Sequence, residues 1–372
     1  MSDPILSEWQ GRIRSAVASG RPLVVRGGGT KDFYGACPVD AAATAADRLV
    51  TTAYAGIVDY DPTELVITAR AGTPLAEVER TMREAGQMLG FEPPHFGAGA
   101  TLGGAVAAGL SGPRRPYAGA VRDFVLGVRV LDGRGDDLAF GGRVMKNVAG
   151  FDVARLMTGA LGTLGVIAEV SLKCLPLPKA TATRVFECGA DEAIRRVNEW
   201  GGKPLPLSAT CWHAGRLAVR LSGAEPAVTA AIARLGGGPM ADDTAFWAAV
   251  REQTHPFFVA GTGDVGGAQA AGRPLWRLSV KSTAPFSDAG GDQLIEWGGA
   301  LRWLVAGERT DPAKLRAWAQ SHGGHATLFR SVDKPAGAFQ PLPAPLAAIH
   351  QRLKASFDPA GVFNKGRLYA GF

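Results

Sequence analysis

The first half of the chain alternates between helical and strand patterns of hydrophobic positions. Trp9, Ile13 and Val17 recur at helical spacing and predict an amphipathic helix over residues 7–19. The apolar run at 22–26 predicts a short buried strand that leads directly into a glycine-rich loop. The same patterns predict helices over 74–86 and 102–110, and strands at 56–60, 65–70, 121–131, 138–140 and 166–175.

From about residue 181 the pattern changes to separate strand and helix signals. These elements predict a second α+β domain, with one sheet that carries its helices on a single face. A stretch rich in proline and alanine, 335–345, marks the exit from this domain and precedes a last helix over 346–357. Strands of the second domain are predicted at 217–221, 276–280, 301–305 and 326–330, and helices over 227–235 and 312–321.

The charge of the chain argues against several classes of protein. Its 40 basic and 34 acidic residues give a net charge of +6 and are spread along the sequence. Nucleic-acid-binding proteins concentrate basic and aromatic residues on one element, and only Arg114 and Arg115 approach such a cluster. The N-terminus lacks the apolar core of a signal peptide, and no run of about 18 apolar residues occurs. We therefore expect a soluble cytoplasmic protein with a mild attraction for anionic ligands or an acidic partner.

The four cysteines bear on how the protein could transfer electrons. Cys37, Cys174, Cys188 and Cys211 contain no C-x-x-C pair, so neither a zinc site nor an iron–sulfur cluster is expected within the chain. Any redox chemistry would therefore need an organic cofactor.

Three glycine-rich segments in the first 170 residues are the best candidates for a cofactor site. Glycine permits positive φ and lets a ligand approach bare backbone N–H groups, which is how many phosphate groups are bound. The candidate residues are Arg26, Gly27, Gly28, Gly29, Thr30 and Lys31 in the first segment, Ala100, Thr101, Leu102, Gly103 and Gly104 in the second, and Gly162, Thr163, Gly165, Val166 and Ile167 in the third.

The first segment differs from the two best-known phosphate-binding loops. It lacks the Gly-Lys-Ser/Thr ending of a Walker A loop, and its glycines are consecutive, whereas the Rossmann fingerprint is G-x-G-x-x-G. By itself, a Gly-Gly-Gly sequence is equally compatible with an ordinary turn. The second and third segments favour the cofactor interpretation.

With the three segments in this order, the chain resembles the flavoprotein superfamily of vanillyl-alcohol oxidase and p-cresol methylhydroxylase (PCMH). The resemblance implies an α+β fold, with a PCMH-type FAD-binding domain of two α/β subdomains and a ferredoxin-like α+β cap domain. It implies that the first two segments hold the FAD pyrophosphate and that the third approaches the adenosine half. It also places Arg122 and Asp123 in a linking segment and Asn364 in a returning C-terminal tail, where Lys365 replaces a common proline.

The chain is also similar to the FAD-binding subunits of bacterial glycolate oxidases, through residues 56–66, 111–116, 144–152 and 297–304. This similarity implies a complex with a larger catalytic FAD subunit and an iron–sulfur subunit. The complex would oxidise a small 2-hydroxy acid, glycolate, to glyoxylate, with D-lactate as a further candidate, and pass electrons to an external acceptor. We expect an FAD-binding domain at 1–178, a cap domain at 179–340 and a returning segment at 341–372.

Two other functions remain open at this point. A stand-alone FAD-dependent 2-hydroxy-acid or alditol oxidase would work with oxygen and without partners. A structural subunit without turnover would have lost FAD, which the intact glycine segments argue against. Within a complex, the cytoplasmic chain could also be held at a membrane by its partners.

The first glycine segment bears on how FAD is attached. Covalent members of the superfamily often use a histidine in this loop, where the chain offers only Thr30 and Lys31. We therefore expect noncovalent FAD. His95, beside Pro93 and Pro94, is the alternative attachment residue, although a loop histidine is more often hydrogen-bonded or solvated.

Oxidation of a 2-hydroxy acid needs a cation for the carboxylate and a base for the hydroxyl proton. Arg114, Arg115 and Lys146 are the candidate catalytic residues, because a cation near the flavin could bind a carboxylate or offset negative charge. A solvated basic loop is the alternative. His322 and His325 have no acidic residue nearby, so we expect a helix-to-strand turn there and no metal site.

Tryptophan and arginine are enriched at protein interfaces. Trp297, Arg302 and Trp303 therefore predict a contact surface for the partner subunits, with ordinary core packing as the alternative. For the neighbouring Leu301 and Leu304, we expect core packing.

Overall fold

The computed structural model describes residues 3–36, 47–142, 152–262, 272–335 and 337–372. In its first half, helices and strands follow the order expected from the sequence, with several short elements added. The helices are α1 (Pro4–Ser19), α2 (Leu75–Glu84), α3 (Leu102–Ala108), α4 (Arg115–Ala118), α5 (Val121–Phe124) and α6 (Val153–Leu156). The strands are β1 (Leu23–Arg26), β2 (Asp47–Val50), β3 (Ile57–Asp61), β4 (Val66–Arg70), β5 (Gln87–Met88), β6 (Val125–Leu131), β7 (Asp137–Gly141), β8 (Val166–Lys173) and β9 (Leu175–Pro176).

Helix α1 forms as its sequence predicts. The side chain of Asp3 caps the helix by accepting a hydrogen bond from the N–H of Ile5, and Pro4 occupies the first turn. Gly20 ends the helix in the left-handed conformation. Trp9 and Ile13 are buried, as the predicted apolar face requires, but Val17, which was assigned to the same face, is 37% exposed.

Within the described residues, five strands of the first half form an antiparallel sheet in the order β3-β4-β8-β6-β7. Its central strand, β8, is covered on both faces. Val166 and Ala168 pack with the side chains of α1, whereas Ile167 packs with those of α2 and α3. This position explains why β8 is almost continuously buried instead of alternating.

The strand predicted at 121–131 is wrong over its first four residues, which form the helical turn α5. The carboxylate of Asp123 accepts a hydrogen bond from the N–H of Ala120, 2.9 Å away, and this local bond favours a turn. Strand pairing begins only at Val125, which lies opposite Leu172 of β8.

The second half contains further strands and helices in alternation. The strands are β10 (Ala180–Glu187), β11 (Leu207–His213), β12 (Arg216–Gly223), β13 (Gly238–Pro239), β14 (Leu275–Ser279), β15 (Asp292–Glu296), β16 (Leu301–Val305) and β17 (His325–Arg330). The helices are α7 (Ala190–Gly201), α8 (Glu225–Leu235), α9 (Asp243–Glu252), α10 (Pro256–Thr262), α11 (Pro312–Ser321) and α12 (Ala344–Phe357).

In the described part of the chain, the strands β10 to β17 form one antiparallel sheet in the order β13-β10-β12-β11-β15-β16-β14-β17. Its first four strands, with α7 and α8, follow the ferredoxin-like order 4-1-3-2. The remaining four strands, β15-β16-β14-β17, follow the mirror image of this order, 2-3-1-4. Helix α11 precedes β17 in the chain. The cap is therefore built from two ferredoxin-like units whose sheets join where β11 pairs with β15.

The expectation that helices cover only one face of this sheet is wrong. Helices α7 and α8 pack on one face against Leu217 and Val219. The opposite face carries Ala218 and is covered by α9, through Trp247, and by α10. Ala108 and Leu110 from the first half extend the same apolar cluster, so this face of the sheet is also the junction between the two halves.

Trp297, Arg302 and Trp303 are buried within the chain, which makes the predicted partner contact at these residues wrong. The indole N–H of Trp297 donates to the carbonyl of Gly112, 3.1 Å away, across the junction. Arg302 donates to two backbone carbonyls. The core packing expected for Leu301 and Leu304 is confirmed, because at most 2% of either residue is exposed.

Candidate functional site

The three glycine segments meet around one cavity of about 310 Å³, here called the glycine cavity. Strand β1 and the C-terminal tail complete its wall. The candidate residues that line it are Arg26, Gly27, Gly28, Gly29, Thr30, Lys31, Thr101, Gly103, Gly104, Gly162, Gly165, Ile167 and Asn364. Ala100, Leu102, Thr163 and Val166 are buried beside it and do not line it.

The first segment offers a row of backbone donors. The N–H groups of residues 27–31 donate no hydrogen bond to any part of the chain that the structure describes. Gly28 packs directly on the backbone of Gly99, so a Cβ there would overlap the Gly99 carbonyl oxygen. Gly29 has a φ of +78°, which favours glycine. Unpaired N–H groups on a loop of this shape fit a diphosphate.

The second segment mainly contributes space, because most of its N–H groups are already paired. The N–H of Leu102 donates to Thr73, that of Gly103 to Ala71, and that of Gly104 to the hydroxyl of Thr101. A Cβ at Gly103 would lie 2.5 Å from the Cβ of Ala71. Glycine is therefore needed at position 103 so that α3 can pack closely against Ala71, the residue that follows β4, beside the cavity.

Asn364 joins the third segment to β1. Its amide oxygen accepts from the N–H of Val25 at 2.8 Å, and its amide nitrogen donates to the carbonyls of Val25 and Leu161, the latter at 2.7 Å. Both ends of the amide are thus occupied by protein. The returning tail holds two walls of the glycine cavity at a fixed spacing.

Lys354 is a positioning residue that the sequence analysis did not identify. Its buried ammonium group donates to the carboxylate of Asp358 and the carbonyl of Thr163, both at 2.6 Å, and to the carbonyl of Phe363 at 3.0 Å. Asp358 also accepts from the N–H groups of Val362 and Phe363. Lys354 and Asp358 are four residues apart, directly before Pro359. This spacing is the sequence signal that could have indicated the buried ion pair.

Positive charge surrounds the glycine cavity. Its lining includes Lys31, Arg48 and Arg367. The guanidinium group of Arg367 donates to the carbonyls of Lys31 and Asp32, so these bonds hold the end of the first segment in place. Cations and free N–H groups around one cavity are the donor set that a diphosphate requires.

Lys31 is the cation whose charge depends most on this environment. Its ammonium group donates to the carbonyl of His95 at 3.2 Å and lies 5.5 Å from the centre of the Phe96 ring. Burial lowers the pKa of Lys31 to about 8, although the nearby carboxylate of Glu252 acts in the opposite direction. The His95 ring lies 3.1 Å from Glu79 and does not line the glycine cavity.

Two of the cations expected at the flavin, Arg114 and Arg115, lie at the junction of the two halves and do not line the glycine cavity. Arg114 binds Glu92, which also binds Arg220 of the cap at 2.8 Å. Burial would raise the pKa of Glu92, but the two guanidinium groups lower it. Glu92 therefore ties the cap to the first half through Arg220, with Arg114 as its second cation.

Arg115, Arg122 and Asp123 do not line the glycine cavity either. Arg115 stacks on the ring of Trp297, with 4.5 Å between guanidinium carbon and ring centre. Arg122 and Asp123 lie in the helical turn α5. Lys146 lies outside the described residues.

Comparison with known proteins agrees with a flavin site. Residues 7–140 match the family model of the FAD binding domain. Over 360 residues, the chain is 48% identical to glycolate oxidase subunit GlcE of Escherichia coli K12, covering 96% of both chains. The chain belongs to the GlcE family of glycolate oxidase subunits. It is an FAD-binding flavoprotein of the oxidoreductase class.

More distant relatives match about half of the chain. Glycolate oxidase subunit GlcD of Bacillus subtilis is 31% identical over 48% of this chain and 37% of its own length. A D-lactate dehydrogenase of Archaeoglobus fulgidus is 29% identical over 50% of this chain and 41% of its own length. The solved structure of an alkyldihydroxyacetonephosphate synthase has a TM-score of 0.64 at 16% identity, over 96% of this chain and 74% of that one. This likeness confirms the expected PCMH-type fold.

The described residues show no sign of two other kinds of site. No helix among them is both long and apolar enough to cross a membrane. No three histidine, cysteine or acidic side chains in the same part of the chain converge to hold a metal ion. The ring of His322 instead lies 2.8 Å from the carbonyl of Trp318.

FAD binding should depend on pH through Lys31. Because its pKa is about 8 in the folded chain, Lys31 loses its charge as the pH rises through 8, and its attraction for the diphosphate is lost. We expect FAD affinity to fall about tenfold between pH 7 and pH 9.5. Binding at pH 8.5 should also take up a proton, measurable by calorimetry in buffers of different ionisation enthalpy. Lys31→Met should abolish the proton uptake; an unchanged uptake in this variant would assign it to another group.

Proposed function

We propose that this chain is the FAD-carrying subunit of a glycolate-oxidising complex. The observation that carries this proposal is the glycine cavity itself, with its free N–H groups and cationic lining, in a chain similar to subunit GlcE along nearly its whole length. Bound FAD would supply the capacity to accept electrons from a 2-hydroxy acid and pass them on.

In this proposal, residues 27–31 bind the FAD pyrophosphate with backbone N–H groups, and Lys31 adds a positive charge. Gly103, Gly104, Gly162 and Gly165 give the cofactor room, while Asn364 and Lys354 hold the tail against it. FAD is bound noncovalently, because neither Thr30 nor Lys31 is a usual attachment residue. The FAD-binding domain would comprise residues 1–178 and the returning segment 341–372, with the cap at 179–340.

We also propose that the partners are a larger FAD subunit and an iron–sulfur subunit, in a cytoplasmic complex that could itself lie at a membrane. The cysteines support the assignment of the iron–sulfur clusters to a different subunit. Cys174, Cys188 and Cys211 are free thiols far apart in sequence, and no metal-binding group was found among the described residues. Onward transfer of electrons would therefore fall to another chain.

An anaerobic titration with glycolate tests this proposal. We expect the flavin absorbance of the purified chain to be bleached when the copurifying partner subunits are present. Bleaching of the isolated chain to the same extent would indicate a stand-alone hydroxy-acid oxidase. Absence of bleaching in both samples, with glycolate and D-lactate, would overturn the proposal.

A further inference from the structure

A second polar site lies at the junction between the cap and the first half, where two arginines share one indole ring. The guanidinium carbon of Arg115, from α4, lies 4.5 Å from the ring centre of Trp297, and that of Arg277, from β14, lies 5.0 Å from it. Trp297 is itself 4% exposed, whereas Arg115 and Arg277 are both partly exposed. Two like charges around one buried ring repel each other unless an anion lies between or beside them.

Two fully buried arginines on the cap sheet, Arg220 and Arg302, show how a cation can be paired there. Arg220 has the carboxylate of Glu92, and Arg302 has two backbone carbonyls. Across the described ranges, Arg277 and Arg115 have no carboxylate within 4 Å and no hydrogen-bond acceptor. Arg277 is thus a partly exposed guanidinium whose five donors are available to a ligand.

Glu296 does not neutralise this pair. One of its carboxylate oxygens accepts from the indole N–H of Trp303 at 2.8 Å, and the other is buried without a partner among the described residues. Burial raises the pKa of Glu296 to about 7, although Trp303 and Arg277 act in the opposite direction. Close to neutral pH, this acid therefore contributes less than a full negative charge.

Tyr34, from the first half of the chain, also lies at this junction. It follows the first glycine segment, and its N–H donates to the carbonyl of Lys31 at 3.0 Å. Its ring packs on Phe329 of the cap, with 5.2 Å between ring centres. Burial raises the pKa of the Tyr34 hydroxyl, which the charge of Arg277 partly offsets, so the hydroxyl remains a neutral hydrogen-bond donor beside the arginine.

We propose that Arg277, Arg115 and Tyr34 form a binding site for the carboxylate of a small organic acid. A guanidinium group pairs with a carboxylate through two parallel hydrogen bonds, and a phenol adds a third donor. The indole of Trp297 forms an apolar wall beside the arginines. Choosing a 2-hydroxy acid as ligand rests on the proposed function; the need for an anion rests on the unpaired arginines alone.

Titration of the FAD-loaded chain with glycolate and with oxalate, followed by tryptophan fluorescence, tests the proposal without turnover. We expect saturable quenching in the native chain and about 10- to 100-fold weaker binding in Arg277→Gln. Arg277→Lys should recover part of the affinity. Arg196→Gln is the matched control, since Arg196 stacks on Phe186 and pairs with Glu192 instead of Trp297, and should leave binding unchanged.

Tyr34→Phe keeps the ring and removes only the hydroxyl. It therefore tests carboxylate binding at this site even if the Arg277 variants unfold. We expect it to weaken carboxylate binding several-fold while FAD content stays unchanged. Equal binding in the native chain, Arg277→Gln and Tyr34→Phe would overturn the site, as would chloride or sulfate competing as well as the carboxylates. Bleaching by glycolate in the complex together with no carboxylate binding here would refute this site and leave the proposed function standing.

Discussion

Replacing Gly28 with alanine is expected to abolish FAD binding. A Cβ at this position would overlap the carbonyl oxygen of Gly99 and lie 2.6 Å from its carbonyl carbon. Both contacts are with backbone, so no side-chain rotation can relieve them. The loop would have to move, and with it the row of free N–H groups that we assign to the FAD pyrophosphate. The purified variant should be colourless, with FAD occupancy below about a tenth of the native value.

Gly11→Ala is the matched control for this prediction. Gly11 lies inside α1, and a Cβ there would meet no atom within 4 Å. Alanine in a helix is more favourable than glycine, so this variant should retain FAD and gain about 0.5–1 kcal/mol of stability. A Gly28→Ala protein with full FAD occupancy would show that the first segment does not seat the cofactor.

Lys354→Met is expected to destabilise the chain by about 3–5 kcal/mol, because it leaves the buried carboxylate of Asp358 without its cation. The carbonyls of Thr163 and Phe363 lose their donor as well. Since these bonds fix the tail against the third glycine segment, FAD affinity should fall together with stability. Urea unfolding of the FAD-free and FAD-loaded proteins measures both effects.

Arg352→Met removes a cation from the same helix at an exposed position and should change stability by no more than about 0.5 kcal/mol. If Lys354→Met and Arg352→Met unfolded at the same urea concentration, the buried ion pair would not be what holds the tail.

The sequence predicted well that the glycine segments form one cavity, because its signals are local. Consecutive glycines after a strand, as at Gly27 to Gly29, constrain the backbone wherever they occur. The order of the three segments then implied one fold, which the comparisons confirm. Helix α1 was also predictable, since its cap at Asp3 and its apolar face are properties of one short stretch.

The junction could not be predicted, because it depends on which distant residues meet. Arg114 and Arg115 are adjacent in sequence, yet one pairs with Glu92 and the other stacks on Trp297. Tryptophan and arginine in one strand are compatible with a partner surface or with a buried junction. Only the tertiary structure distinguishes the two, because it shows that the first half of the chain covers this face of the cap sheet.

The flavin content of the purified chain tests the central claim most directly. We predict one FAD per chain, released into the supernatant on acid precipitation, because the glycine cavity holds the cofactor without a covalent bond. A colourless protein that added FAD does not stabilise, or a yellow pellet after precipitation, would contradict this account.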